Sequence, residues 1–139
     1  MAKDRLSMVV FSGTVDKLYP VAIMASGAVA MGQEVDIFLT FWGLNAFRKG
    51  APASNDRISK DFEEMGPAVK QLLAEKKVPS WMDMLRQAKE LGNVHVHACG
   101  MTMDLFDLKL ENLEDIVDDV MGVAGFIEGA QEGKITLFI

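Results

Sequence analysis

The sequence predicts an α/β fold: a mostly parallel sheet of about five strands, with helices covering both faces. Short β-branched and aromatic runs alternate with helix-patterned segments along the chain. Several runs stop at glycine-containing turns, and no repeat, linker or low-complexity tract interrupts the alternation. At 139 residues the chain fits one domain over 1–139, long enough to bury roughly 68% of the surface its unfolded form exposes.

Leu6 to Ser12, LSMVVFS, is a short apolar run with adjacent valines that stops at Gly13-Thr14, and it reads as a central, buried strand. Asp16 to Met31 is apolar and alanine-rich, with Pro20 tolerable only near the first turn and Gly32 placed to end the helix. It is shorter than the ~20 apolar residues of a membrane span, and it reads as a helix packed closely on the sheet. Glu34 to Phe41 makes a second strand, followed by a short helix or loop from Trp42 to Phe47. Ala51 to Ser59 has loop composition and is expected to be mobile, and Met65-Gly66-Pro67 interrupts a helical pattern over Lys60 to Lys77.

Ser80 is placed to cap a helix in which Trp81, Met84, Leu85, Ala88 and Leu91 fall at helical spacing, with Gly92 closing it. Asn93 to Cys99 is a third strand, leading through Gly100 into a helical turn. Leu113 to Asp119 offers a short strand or helical turn, Val123 to Gln131 a helix, and Lys134 to Ile139 a final strand.

Composition excludes several classes. Half the residues are hydrophobic and 24% are charged, which is globular rather than disordered. Fourteen Lys and Arg against 20 Asp and Glu leave a net charge of -6, so no basic field exists to hold nucleic acid or an anionic membrane. A single cysteine forms no internal disulfide, and the first residues lack a signal-peptide pattern. A reducing cytoplasm is the expected compartment.

In an open parallel sheet, ligands gather outside the carboxyl ends of the strands. Three such ends are Ser12-Gly13-Thr14, Phe41-Trp42-Gly43 and Ala98-Cys99-Gly100, and the third carries the lone thiol. A thiol at a helix start meets unpaired backbone donors, which lower its pKa and make it a nucleophile candidate. Gly100 would let backbone approach a ligand, and Thr102 can donate a hydroxyl hydrogen bond to a sulfur or oxyanion. The plainer alternative is that Cys99 is a small buried hydrophobe.

His95 and His97 share a strand face with Cys99 but stack along it, a poor geometry for a local triad. The alternation offers no second, separated ligand pair for a metal, so none is expected. Neither GxGxxG nor GxxxxGK[ST] occurs, although the SGTVDK turn could hold a small anion at the start of the first helix. Met101 and Met103 read first as packing, and as a partner surface if exposed; Trp42 and Phe47 read first as core.

Four segments together resemble the DsrE/DsrF-like family of sulfur-relay proteins: FSGTVDK (Phe11 to Lys17), EVDIFLTFWGLNAFRK (Glu34 to Lys49), HACGMTMDLFDL (His97 to Leu108) and GKITLFI (Gly133 to Ile139). The most specific parts are Phe38 to Asn45 and the ACxMxMD pattern of Ala98 to Asp104. The resemblance spans nearly the whole chain, departing from it over Arg57 to Lys77, where family members of this branch often carry a Met-, Gly- and Lys-rich stretch. It implies a three-layer α/β/α sandwich, assembly as trimers or hexamers, and a cysteine that carries sulfur as a persulfide or thiosulfonate without an organic cofactor.

Under that resemblance Cys99 is the acceptor and donor of sulfur; the residues at the strand ends add the expectation that Gly100 and Thr102 shape an anion pocket and that Ser12, Gly13 and Thr14 form its facing wall. One thiol cannot resolve its own persulfide, so donor and acceptor proteins or small thiols are the expected partners. The competing expectation is a noncatalytic regulatory or small-ligand-binding subunit of a relay complex.

Overall fold

A computed structural model describes residues 3–139. Five strands, β1 (Lys3–Val10), β2 (Glu34–Leu39), β3 (Val94–Cys99), β4 (Asp119–Met121) and β5 (Gly133–Phe138), form one all-parallel sheet in the order β4-β3-β2-β1-β5. β2 is therefore the middle strand, and β1 lies beside it, paired on both edges.

The first strand starts earlier than its apolar run, because Lys3 pairs with Gly133 at the sheet's rim. It ends at Val10, where the chain turns toward the helix α1 (Val15–Ala30). Met31, Gly32 and Gln33 close that helix: Gly32 takes φ 76°, its N–H bonds the Val29 carbonyl, and the Gln33 N–H bonds Ala28. Two C-terminal carbonyls are thus satisfied by a left-handed turn that glycine adopts at little cost. Pro20 sits inside the helix rather than at its first position, where its side faces solvent.

The two sheet faces differ because successive strand residues point to opposite sides. One face presents Leu6, Met8, Val10, Val35, Ile37, Leu39, Val94, Val96 and Ala98, all buried. Against it pack α1, through Leu18, Val21, Ala22 and Ala25, and α5 (Trp81–Leu91), through Trp81, Leu85 and Ala88. The small alanine side chains of α1 let the helix lie close to the strands. Ser80 caps α5 as expected, its hydroxyl accepting from the Asp83 N–H at 3.0 Å.

The opposite face carries Arg5, Ser7, Asp36, Phe38, His97 and Cys99, and its covering helix is α7 (Val123–Gln131), which buries only Phe126. Layers of helix, sheet and helix make a three-layer α/β/α sandwich with unequal outer layers.

Short helices occupy the loops at the carboxyl edge and beyond it: α2 (Phe41–Asn45), α3 (Ala51–Ser54), α4 (Gly66–Glu75) and α6 (Gly100–Leu105). Phe41 thus opens α2 instead of ending β2. Residues 51–59 are not a plain loop: after α3, Asn55 donates to the Gly13 carbonyl, Arg57 accepts the Val15 N–H, and the Ser59 N–H bonds Asp16. The stretch is fastened to the start of α1. Gly66-Pro67 begins α4 after a 3-10 turn over Lys60–Met65, since proline suits the first helical turn. The fourth strand falls at Asp119–Met121, largely beyond the expected segment.

Candidate active site

β3 runs out at Cys99, which serves as the N-cap residue of α6. Its side chain points to the α7 face, where Phe38 and Phe126 stack with centroids 4.9 Å apart and Val9, Met121 and Ala130 complete an apolar roof. The residue is 7% exposed. Burial pushes the thiol pKa up, yet the Thr102 hydroxyl and N–H, the Thr40 hydroxyl and the Met101 N–H stabilise the thiolate and hold it below the ordinary value. An apolar roof over a polar floor therefore surrounds a thiol that ionises more readily than a free one.

The floor is built across two strands. Thr102 is fully buried; its oxygen accepts the Phe41 N–H at 3.2 Å and lies 3.2 Å from the Thr40 hydroxyl. That contact holds Phe41 at φ 47°, a left-handed conformation that costs a bulky residue of order 1–2 kcal/mol. The aromatic rings of Phe41, Trp42 and Phe106 pack mutually at 6.1–6.3 Å beside this turn. Trp42 is exposed, whereas Phe47 is core, packed edge-on against Trp81. Met101 and Met103 also divide, the first 80% exposed and the second buried.

Cys99, Thr102 and the start of α6 come together, but Ser12, Gly13 and Thr14 do not join them. β2 separates β1 from β3, so the turn after β1 lies on the far side of the strand that supplies Thr40. Those three residues instead line a cavity of about 850 Å³ with Lys17, Asn45 and Arg57, and Cys99 is not among its lining residues. Gly13 is explained by packing: a Cβ there would meet the Trp42 carbonyl oxygen at 2.5 Å. A Cβ on Gly100 would point at Val120 and Met121 of β4 at ordinary contact distances, so packing alone does not require a glycine here.

Thr40 is the site residue the sequence reading missed. Strand parity was the available signal: Leu39 pairs with Ala98, so the next residue on β2 falls beside Cys99 on the same face.

His97 cannot serve Cys99 as a free base. Its Nδ1 lies 2.6 Å from Asp119 and its Nε2 3.2 Å from Asp36, and Asp36 in turn pairs with Arg5 at 3.4 Å. The Asp36 hydrogen bond, opposed by burial and reinforced by Asp119, raises the His97 pKa. His95 is exposed and stacks on it at 6.4 Å. Among the described residues no three His, Cys, Asp or Glu side chains converge to hold a metal, and no helix is long and apolar enough to cross a membrane.

The model of the DsrE/DsrF/DrsH-like family matches residues 2–71 and 58–138. The chain belongs to that family. Family relatives include YrkE of Bacillus subtilis, 37% identical with 97% of this chain and 96% of that protein covered. The sulfur carrier protein DsrE2 of Allochromatium vinosum is 33% identical, with both chains fully covered. Two solved structures share the fold at 14% identity and a TM-score of 0.60: MTH1491 of Methanobacterium thermoautotrophicum, with 97% of this chain and 98% of that one covered, and ychN of E. coli, with both fully covered.

Proposed function

We infer that this family member is a sulfur carrier that takes up sulfane sulfur on Cys99 and passes it on. The observation that carries the reading is the placement of the Cys99 thiol at the end of β3 and the N-cap of α6, beside the paired Thr40 and Thr102 hydroxyls, surroundings that hold it below its ordinary pKa. A relative named as a sulfur carrier over the full length of both chains supports it.

In the transfer, the Cys99 thiolate attacks the terminal sulfur of a donor persulfide, a new S–S bond forms to Cys99, and the donor leaves as its thiolate. An acceptor thiolate then attacks the sulfur bound to Cys99, and Cys99 departs as the thiolate. The donors that favour ionised Cys99 also stabilise the persulfide anion. Thr40 serves in this reading as the second side-chain donor to the sulfur, and Ser12, Gly13 and Thr14 line the separate cavity instead.

The lone thiol makes a second thiol obligatory, so partner proteins or small thiols belong to the mechanism, and the cytoplasm is the compartment proposed. Self-association into a trimer or hexamer is proposed as well, because Val123, Ile127, Ile135 and Phe138 leave apolar surface exposed around α7 and β5.

Mass spectrometry after incubation with a persulfide, thiosulfate or tetrathionate donor tests the carrier. A sulfur adduct on the wild type that vanishes in Cys99→Ser is expected; no adduct on the wild type overturns the reading. The cavity lined by Ser12, Gly13 and Thr14 favours a second reading, a small-ligand-binding subunit. A thermal shift with nucleotides or phosphates that persists in Cys99→Ser would favour it over the carrier.

A further inference from the structure

We propose that His97 is a proton-dependent latch that holds β4 and α7 over Cys99, and that loss of its proton opens the sulfur to incoming thiols. The proposal rests on the reading of Cys99 as the sulfur-bearing group and adds the control of access to it.

The latch is a chain of charges running across the sheet beneath α7. Asp119 of β4 meets His97 of β3, His97 meets Asp36 of β2, Asp36 meets Arg5 of β1, and Arg5 Nη1 donates to the Gly129 carbonyl at 2.9 Å. Arg5 thereby grips the C-terminal end of α7, while Asp119 secures the three-residue edge strand that leads through Gly122 into its N-terminal end. Between the two tethers Phe126 and Met121 roof Cys99.

Both nitrogens of His97 face carboxylate oxygens. Two acceptors require two donors, and only the imidazolium has two N–H groups; a neutral ring would turn a lone pair toward one carboxylate. Asp36 keeps Arg5 when the proton leaves, whereas the Asp119 side chain has no other partner among the described residues and is 54% exposed. The arm to Asp119 is the one released. Asp118 stays fixed by the Val96 N–H and by Lys89, and the backbone pairing of Asp119, Val120 and Met121 with β3 and the Arg5 bond to Gly129 remain. Losing the side-chain arm therefore leaves the segment from Asp119 to the start of α7 more weakly held and opening more often.

The groups facing His97 are few. They are Asp36 on β2, Asp119 on β4, and His95 and Cys99 on its own strand, with Arg5 of β1 behind Asp36. α7 carries Glu128 as its single charged side chain, and that residue is exposed.

Hydrogen exchange of residues 119–131, corrected for intrinsic rates, and N-ethylmaleimide labelling of Cys99, normalised to its thiolate fraction, test the latch between about pH 5.5 and 8.5. In the wild type both rates should rise about fivefold or more across that interval, the effect of releasing one partly exposed charge-assisted bond. Asp119→Asn, at a half-exposed position, and His97→Gln should exchange fast at both ends with the pH dependence gone. Wild-type exchange that does not change with pH, or a dependence that survives in Asp119→Asn, overturns the latch. Neither measurement uses a sulfur donor. A latch that opens on a protein that never takes up sulfur would leave the latch standing and remove the carrier reading alone.

Discussion

The Thr102 hydroxyl oxygen lies 3.2 Å from that of Thr40 and accepts the Phe41 N–H, joining the ends of two neighbouring strands directly beside Cys99. Because that oxygen already accepts a bond, its proton is available to a neighbouring acceptor. The thiolate is one such acceptor, which is how a buried cysteine comes to ionise easily.

Thr102→Val keeps the shape of the side chain and removes the hydroxyl. It should raise the Cys99 pKa and slow alkylation at neutral pH about tenfold, the effect of losing a charge-assisted hydrogen bond. It also strands the Phe41 N–H and should cost about 1–3 kcal/mol of stability. Alkylation rate against pH reads the first effect, and an unchanged profile would contradict the role given to the hydroxyl.

Phe126→Ala removes the roof. Phe126 is buried against Phe38, and truncating such a ring costs about 3–5 kcal/mol in a closed core, with the lower end expected beneath a thin outer layer. Urea unfolding should show that loss together with faster labelling of Cys99. Slower labelling would mean that Phe126 does not cover the thiol.

Stability should plateau at mildly acidic pH and fall on both sides. Hydrogen bonding to Asp36 and then Asp119 raises His97 against its burial, so its contribution is complete below the ordinary imidazole value and lost as pH rises through the raised one. Burial pushes Asp36 up, but the hydrogen bond and charge of His97, with Arg5 behind it, leave its pKa lowered. Its contribution is therefore complete above the ordinary carboxylate value and lost as pH falls through the lowered one. Urea midpoints across pH check both limbs. His97→Gln should flatten the limb above neutrality, and a limb as steep as wild type would assign it to another group.

Two glycines in the same region should respond oppositely. A Cβ on Gly43 would lie 2.1 Å from the Val10 carbonyl oxygen, so Gly43→Ala must push β1 and α2 apart and should leave little folded protein. A Cβ on Gly100 meets nothing closer than 3.6 Å, and Gly100→Ala should keep the circular dichroism spectrum and the thiol reactivity of the wild type. Lost reactivity there would restore the idea that a ligand passes close to this backbone.

The sequence by itself determined the alternation of strands and helices, the caps at Ser80 and Gly32, and the position of the lone thiol at a strand's carboxyl end, because these depend on periodicity and local backbone preference. Only the tertiary structure decided which strand ends are neighbours. Strand order is a long-range choice of pairing, and it placed Thr40 at Cys99 while putting β2 between that cysteine and the turn at Ser12, Gly13 and Thr14. The carboxylates on either side of His97 were illegible for the same reason: they lie 61 and 22 residues away along the chain and meet the ring through sheet register alone.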